Sequence, residues 1–132
     1  MQSIIEIKRI YEPISIEDGK RILVDRLWPR GISKQNANLD IWMKDVAPST
    51  ELRKQFNHKP ELFDEFRIQY IEELHKDVEK LEKVNELLQI LRNEKITLLY
   101  AAKDRENNHA VVLRDVLLKE SVHEDKGLSG EG

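Results

Sequence analysis

Two short apolar runs, far apart in the chain, constrain the fold more than any other feature. They lie within "RILVDRLW" (21–28) and "KITLLYAAK" (95–103). Because the apolar residues follow one another instead of alternating with polar ones, residues 21–28 and 95–103 are each predicted to be a strand buried on both faces. Such strands are typical of a parallel sheet covered by helices. Parallel neighbours need a long crossover connection, and the chain between the two runs is long enough to supply one.

The segment between the two runs has the apolar periodicity of helices. Ser49 is a good N-cap for a helix over about 50–57, and Pro60 suits the first turn of the next helix. From there, apolar residues recur at three- and four-residue steps as far as Leu91. A single helix of this length would exceed the usual size in globular proteins. We therefore expect a break near 76–80 and two helices.

The remaining segments complete an α/β pattern. A partly exposed edge strand is predicted over 3–11, a capped turn over 12–20, a loop with a helical turn over 31–38, and a helix over 108–120. Residues 39–46 are ambiguous between strand and helix end. The sequence predicts one layered α/β domain over 1–120, with a small, at least partly parallel sheet flanked by helices, and a flexible tail over 121–132.

Composition excludes several classes of function. The 132 residues are enough for one domain, and 22 basic against 25 acidic residues give a net charge of −3, which argues against a polyanion binder by overall charge. The chain has no cysteine, so thiol nucleophiles and thiolate metal ligands are excluded. His58 and His75 lack metal-ligand spacing and are predicted to be surface or capping residues. No apolar run is long enough for a membrane span, and we expect a cytoplasmic protein.

Polar residues follow both buried strands at the point where each strand ends. Arg26, Trp28 and Arg30 lie at the carboxyl end of the first, and Lys103, Asp104 and Asn108 lie at or just after that of the second. If the strands are parallel, their carboxyl ends meet at one rim of the sheet, where ligands bind in open α/β folds. The helix that starts near Asn108 adds free backbone N–H groups, and arginine binds phosphate or carboxylate with two parallel hydrogen bonds. This arrangement predicts an anion-binding site.

His109 is the residue at this rim best suited to proton transfer. The positive end of the helix dipole disfavours the imidazolium ion, which leaves a neutral ring able to accept or donate a proton. We expect His109, Lys103 and Asp104 to form the catalytic group of any reaction, with Asp104 or Asp25 orienting the imidazole. No nucleophile is evident beside them.

Each of these residues also has a purely structural interpretation. Arg26 and Arg30 would brace the loops if they paired with Asp25, Asp40 or Asp45. Trp28 would then be packing, and His109 would be a helix cap that holds the neighbouring loop. The sequence leaves these alternatives open.

Three separated blocks of the sequence resemble a known family. "RIYEPISIEDGKRILVDRLWPRGISK", "LDIWMKDVAPSTELRKQFNH" and "ITLLYAAKDRENNHAVVL" look like the signature blocks of the YeaO-like proteins, a bacterial and archaeal domain of unknown function. The resemblance implies a shared fold and site and no established reaction. It also implies that Lys44, Ser49 and Arg53, in the middle block, belong to the site. More distant relatives carry a cysteine-rich last block, where this chain has "NNHA".

Two functions from different classes follow. In the first, the protein binds an anionic small molecule, a nucleotide or phosphorylated metabolite, with His109 supplying any acid–base chemistry. The predicted ligand-binding residues are Arg26, Trp28, Arg30, Lys44, Ser49, Arg53 and Asn108. In the second, the protein is a nucleic-acid-binding or regulatory module whose phosphate contacts are Arg26, Arg30, Lys34, Lys44 and Arg53. The sequence identifies neither the ligand nor a cofactor nor the oligomeric state.

Overall fold

The core of the structure is a four-stranded parallel sheet. The structure, a computed structural model, describes the backbone of residues 4–131 and the side chains of 4–122. Within these residues the strands are β1 (Ile5–Arg9), β2 (Lys20–Leu23), β3 (Ile41–Trp42) and β4 (Ile96–Tyr100). Their order is β1-β4-β2-β3, and every pairing is parallel. The predicted α/β fold is confirmed.

Helices and short 3-10 turns surround this sheet. The helices are α1 (Lys34–Ala37), α2 (Thr50–Phe56), α3 (Phe63–Lys76), α4 (Val78–Leu91) and α5 (His109–Glu131), and the 3-10 turns are Ile16–Asp18, Lys44–Val46 and Pro60–Leu62. None of the described helices is both long enough and apolar enough to cross a membrane. The flexible tail over 121–132 stays a prediction. The backbone is helical as far as Glu131, while Gly132 and the side chains after Val122 lie outside the described residues.

The two apolar runs become the central strands of the sheet. β2 and β4 are hydrogen-bonded neighbours, with Ile22 opposite Leu98 and Leu23 opposite Leu99, and all four side chains have no exposed surface. β1 pairs with β4 on the other side and lies at the edge, as its imperfect alternation predicts. The prediction that the two strands buried on both faces are parallel is therefore confirmed.

The predicted end of the second strand is wrong. β2 stops at Leu23, whereas the sequence predicted a strand as far as Trp28. Val24 N still donates to Leu99 O at 3.0 Å, but one step later the carboxylate of Asp25 accepts from Ala101 N, also at 3.0 Å. A side chain thus replaces the backbone in the ladder, and residues 25–31 form a loop along the rim of the sheet.

Local capping explains where the helices begin and end. Ser49 Oγ accepts from Leu52 N at 3.2 Å, as predicted for the start of α2. The predicted break between α3 and α4 occurs at Asp77, whose extended backbone ends α3 and whose carboxylate accepts from Glu79 N and Lys80 N. The ambiguous stretch over 39–46 contains the two-residue edge strand β3 and a 3-10 turn.

A buried ion cluster fixes the turn between β1 and β2. The carboxylate of Asp18 contacts Lys8 Nζ at 3.0 Å and pairs with the guanidinium of Arg21, and both Asp18 and Arg21 are 3% exposed. Thr97 Oγ1 donates to Asp18 O at 2.7 Å, which ties the turn to β4. The cluster lies at the amino ends of β2 and β4, away from the rim that carries the candidate site.

Candidate functional site

The two polar clusters predicted from the sequence line one cavity. It has a volume of about 720 Å³ and opens at the carboxyl ends of β2 and β4. One side is the loop after β2, the second is the segment between β4 and α5, and α2 with α3 forms a third wall. The polar and aromatic lining residues are Tyr11, Asp25, Arg26, Trp28, Arg30, Arg53, Phe56, His58, Phe66, Lys103, Asp104, Asn107, Asn108 and His109.

Asp25 and His109 meet at the junction of the two loops. Asp25 Oδ1 lies 2.8 Å from His109 Nε2, and both side chains are about one-sixth exposed, at 16% and 15%. Nε2 is also within 3.1 Å of Val24 O, and this carbonyl has the better hydrogen-bond geometry, since Asp25 Oδ1 has no hydrogen-bond partner. The carboxylate of Asp25 is therefore in close contact with an imidazole that is hydrogen-bonded to the backbone.

This geometry assigns the proton on the neutral imidazole. Both atoms near Nε2 are acceptors, a carbonyl and a carboxylate, so Nε2 carries the hydrogen and Nδ1 is left with its lone pair. The structure thus favours Asp25, one of the two orienting carboxylates considered from the sequence, as the partner of His109. Tyr70 supports the ring from the core side, with an edge contact at 6.5 Å between centroids.

Four cations line the cavity without a carboxylate partner. Arg26, Arg30, Arg53 and Lys103 form no ion pair with any residue of the described chain. The structure therefore does not show the bracing interaction that would pair Arg26 and Arg30 with Asp25, Asp40 or Asp45. Arg53 is the most informative of the four, because its Nε atom is buried and has no hydrogen-bond acceptor.

Asp104 and Asn108 build the loop between β4 and α5. Asp104 Oδ1 accepts from Glu106 N and Asn107 N, both at 2.9 Å, while its Oδ2 accepts from Asn107 Nδ2. Hydrogen bonds from Asn107 lower the pKa of Asp104. Asn108 caps α5 by accepting from Val111 N at 3.1 Å, and its amide donates to Asp104 O. Both residues line the cavity while their polar atoms hold this loop in shape.

The other predicted ligand-binding residues divide between the cavity and its surroundings. Trp28 lines the cavity, but its Nε1 donates to Ile32 O at 2.6 Å and its ring packs edge-on against Trp42. Lys44 and Ser49 are not among the lining residues. Lys44 Nζ lies 5.3 Å from the ring centroid of Trp42, and Ser49 Oγ donates to Glu73 Oε2 at 2.6 Å.

Sequence reasoning missed the wall that α2 and α3 contribute. Phe56 and Phe66 line the cavity, and so does His58, which the sequence placed on the surface or in a cap. An aromatic stripe at helical spacing looks the same whether it faces the core or a cavity, so no signal in the sequence separates the two. Tyr11 was also missed, and its hydroxyl donates to Arg30 O at 2.9 Å.

Among the described residues, the charged side chains that line the cavity are mainly cations without an ionic partner. Over the described part of the chain, no group of three or more histidine, aspartate or glutamate side chains could hold a metal ion. The carboxylates at the cavity are Asp25, next to His109, and Asp104, which holds its own loop. Within the described residues, four of the charged side chains that line the cavity are therefore cations without an ion-pair partner.

Comparisons with known proteins identify the family. A sequence model described as "Inactive DUF488-N3 subclade" matches residues 4–131. The chain is similar to the uncharacterised protein YeaO of Escherichia coli (strain K12), with 47% identity over 86% of this chain and 96% of that protein. It is also 42% identical to an uncharacterised protein of Mycobacterium bovis, over 86% and 92% of the two chains. No solved structure matches. The chain therefore belongs to the YeaO-like family, in the DUF488-N3 subclade described as inactive.

Proposed function

We propose that the protein binds an anionic small molecule, a nucleotide or a phosphorylated metabolite, in this cavity. The observation that carries the proposal is the set of four unpaired cations around one concave space, among them an arginine with a buried Nε that has no acceptor. Leaving such a donor unpaired costs free energy, which an oxyanion would recover by accepting its hydrogen bond.

The shape and charge of the cavity support the same ligand class. Its volume of about 720 Å³ lies in the usual range for sites that bind metabolites and drug-sized molecules. Its cations come from three different segments, the loop after β2, the segment after β4 and helix α2, so a bound anion would be contacted from several directions. The amino end of α5 adds a favourable field at the same rim.

Binding without turnover is the simpler form of this proposal. The family description calls the subclade inactive, and the chain has no cysteine at which a thiol reaction could occur. The 2.8 Å contact between Asp25 and His109 is the one observation that favours acid–base chemistry, with Lys103 and Asp104 nearby. We propose that this pair first serves to position His109 Nδ1 as a hydrogen-bonding group for the ligand. The cytoplasm is the compartment we propose for this binding.

The alternative, a nucleic-acid-binding module, makes less use of the observed geometry. Of its five proposed phosphate contacts, Arg26, Arg30 and Arg53 line the cavity, whereas Lys34 and Lys44 lie outside the lining. A concave cluster fits a compact ligand better than a continuous phosphate backbone, which needs a basic stripe. Binding of DNA or RNA that weakens steeply with salt would favour the alternative over our proposal.

A thermal-shift screen of anionic metabolites on three proteins tests the proposal. A saturating ligand raises Tm in the wild type, by an amount set by its concentration relative to Kd. Arg30→Ala removes one cation from the cavity and should lose most of the shift. Lys54→Ala removes the same charge from an exposed position outside the lining and should keep it. A screen in which every hit shifts all three proteins equally would overturn the proposal.

A further inference from the structure

We propose that the wall formed by Phe56, His58 and Phe66, here called the ring subsite, binds a planar ring of the ligand. The ligand is then a nucleotide and not a small phosphorylated metabolite. This inference rests on the proposed function. The cationic rim is proposed to bind the anionic group of the ligand, and the ring subsite adds a site for the ring of the same ligand. The evidence comes from the backbone of His58 and from the aromatic packing behind it.

The backbone of His58 has a conformation that is uncommon for a non-glycine residue, in a turn closed by a hydrogen bond from Lys59 N to Phe56 O at 3.0 Å. Its φ is +55° and follows Asn57 at +47°, so two successive non-glycine residues are left-handed after α2. Glycine would occupy position 58 at lower cost, because a Cβ is disfavoured there. The imidazole of His58 forms no hydrogen bond or ion pair within the described residues, and its one ring contact is with Phe56 at 6.3 Å.

Such strain is typical of residues whose side chain is needed for function. His58 is exposed and lines the cavity, so the unusual backbone places a ring at the cavity wall. The other left-handed non-glycine residue of the described chain, Asn38, ends α1 and does not line the cavity. The left-handed backbone therefore borders the cavity at His58 but not at Asn38. At Asn38 the conformation needs no functional explanation, because asparagine is tolerated there at the end of a helix.

The wall behind His58 is an aromatic stack. Phe56 and Phe66 are stacked at 4.5 Å between centroids with 24° between their planes, and both line the cavity although they are 7% and 3% exposed. Because these two rings are almost fully buried, the exposed imidazole of His58 is the ring of this wall that a ligand can reach. A heteroaromatic base would stack on the imidazole, as bases do on aromatic side chains, with the two phenylalanines packed behind it.

Binding of matched probes tests the ring subsite. The four ribonucleoside 5′-monophosphates and ribose 5-phosphate share a sugar phosphate and differ in the base. We expect calorimetry on the wild type to show that at least one nucleotide binds about tenfold more tightly than ribose 5-phosphate, the size of effect that stacking of one base gives. In His58→Gly and in His58→Asn this preference should fall to about twofold or less, with affinity for ribose 5-phosphate unchanged.

The control is Asn38→Gly, which relieves the same backbone conformation at a residue outside the lining and should keep the full preference. Because glycine suits both positions, both glycine variants should have a Tm equal to or above that of the wild type. Equal binding of ribose 5-phosphate and every nucleotide by the wild type would overturn the ring subsite and leave the proposed function standing. The ring subsite would also be overturned if both His58 variants kept the preference for a nucleotide. If none of the five probes bound, both the ring subsite and the proposed function would be overturned.

Discussion

Asp25 is the residue that joins the two halves of the cavity. One oxygen of its carboxylate accepts from Ala101 N, after β4, and the other lies 2.8 Å from His109, at the start of α5. Its own backbone carbonyl accepts from Trp42 Nε1 at 2.8 Å. A single side chain therefore ends the β2 ladder, fixes the following loop and orients the imidazole. The sequence predicted Asp25 to lie within the strand and did not indicate that its side chain replaces the backbone in the ladder.

Asp18 provides a prediction about pH. Burial is the largest influence on its pKa and raises it, but the hydrogen bond from Ser15 N, together with Lys8 and Arg21, lowers the pKa below its ordinary 3.8. The ionised carboxylate thus contributes stability that is fully present above pH 3.8 and is lost as the pH falls through the lower pKa of the folded state.

Asp18→Asn should therefore cost about 3 kcal/mol at pH 7, because Arg21 is left buried without its carboxylate. The loss should shrink as the wild type is acidified, which urea unfolding at several pH values would measure. Glu82→Gln, on the exposed face of α4, serves as the control and should stay within about 0.5 kcal/mol of the wild type. A penalty for Asp18→Asn that is constant down to pH 2 would contradict the assignment.

Two glycines with positive φ give a second prediction. Gly19 has φ +65° and ψ −136°, a region essentially restricted to glycine, and a Cβ there would lie 2.5 Å from Lys95 O. Gly31 has φ +76°, but a Cβ would meet nothing within 4 Å. We expect Gly31→Ala to cost about 1 kcal/mol and Gly19→Ala at least about 3 kcal/mol, by chemical denaturation. Equal costs would show that the close approach to Lys95 is not maintained in solution.

At the scale of elements, helix α2 matters because it presents Arg53 and Phe56 to the cavity and is followed directly by the turn that carries His58. Ser49 fixes its start by capping Leu52 N and donating to Glu73 on α3. Ser49→Ala should cost about 1 kcal/mol or more, while Ser33→Ala, which removes the cap of the exposed four-residue α1, should cost roughly 0.5 kcal/mol. Urea unfolding would compare the two variants. If Ser49→Ala lost less stability than Ser33→Ala, the contact with Glu73 would not contribute to stability.

The elements themselves were predictable to different degrees. Doubly apolar strands, the Ser49 cap and a helix break within 76–80 follow from local patterns, and the structure confirms each of them. The end of β2 was not predictable, because apolar and β-forming residues continue past Leu23. A tertiary hydrogen bond that the Asp25 carboxylate accepts from Ala101 N decides where pairing stops. β3 was ambiguous because two residues are too few to show a period.

At the scale of the whole molecule, the sequence predicted the meeting of two loops and missed the third wall. Parallel pairing of β2 with β4 was enough to bring Arg26 and Arg30 together with Lys103 and His109. The wall from α2 and α3 depends on how those helices pack over the sheet. Helical periodicity shows which residues are apolar and not which of them border a cavity, so Phe56 and Phe66 could not be assigned to the site in advance.

Binding of an anion in the cavity is the central claim, and an NMR titration tests it most directly. Ribose 5-phosphate and adenosine 5′-monophosphate would be added to ¹⁵N-labelled protein, with the Arg53 Nε–H signal assigned through Arg53→Lys. We expect saturable shifts in the amides of 25–30 and 101–109 and in Arg53 Nε–H, which lacks an acceptor in the structure. No saturable shift, or shifts confined to the exposed face of α4, would contradict the claim.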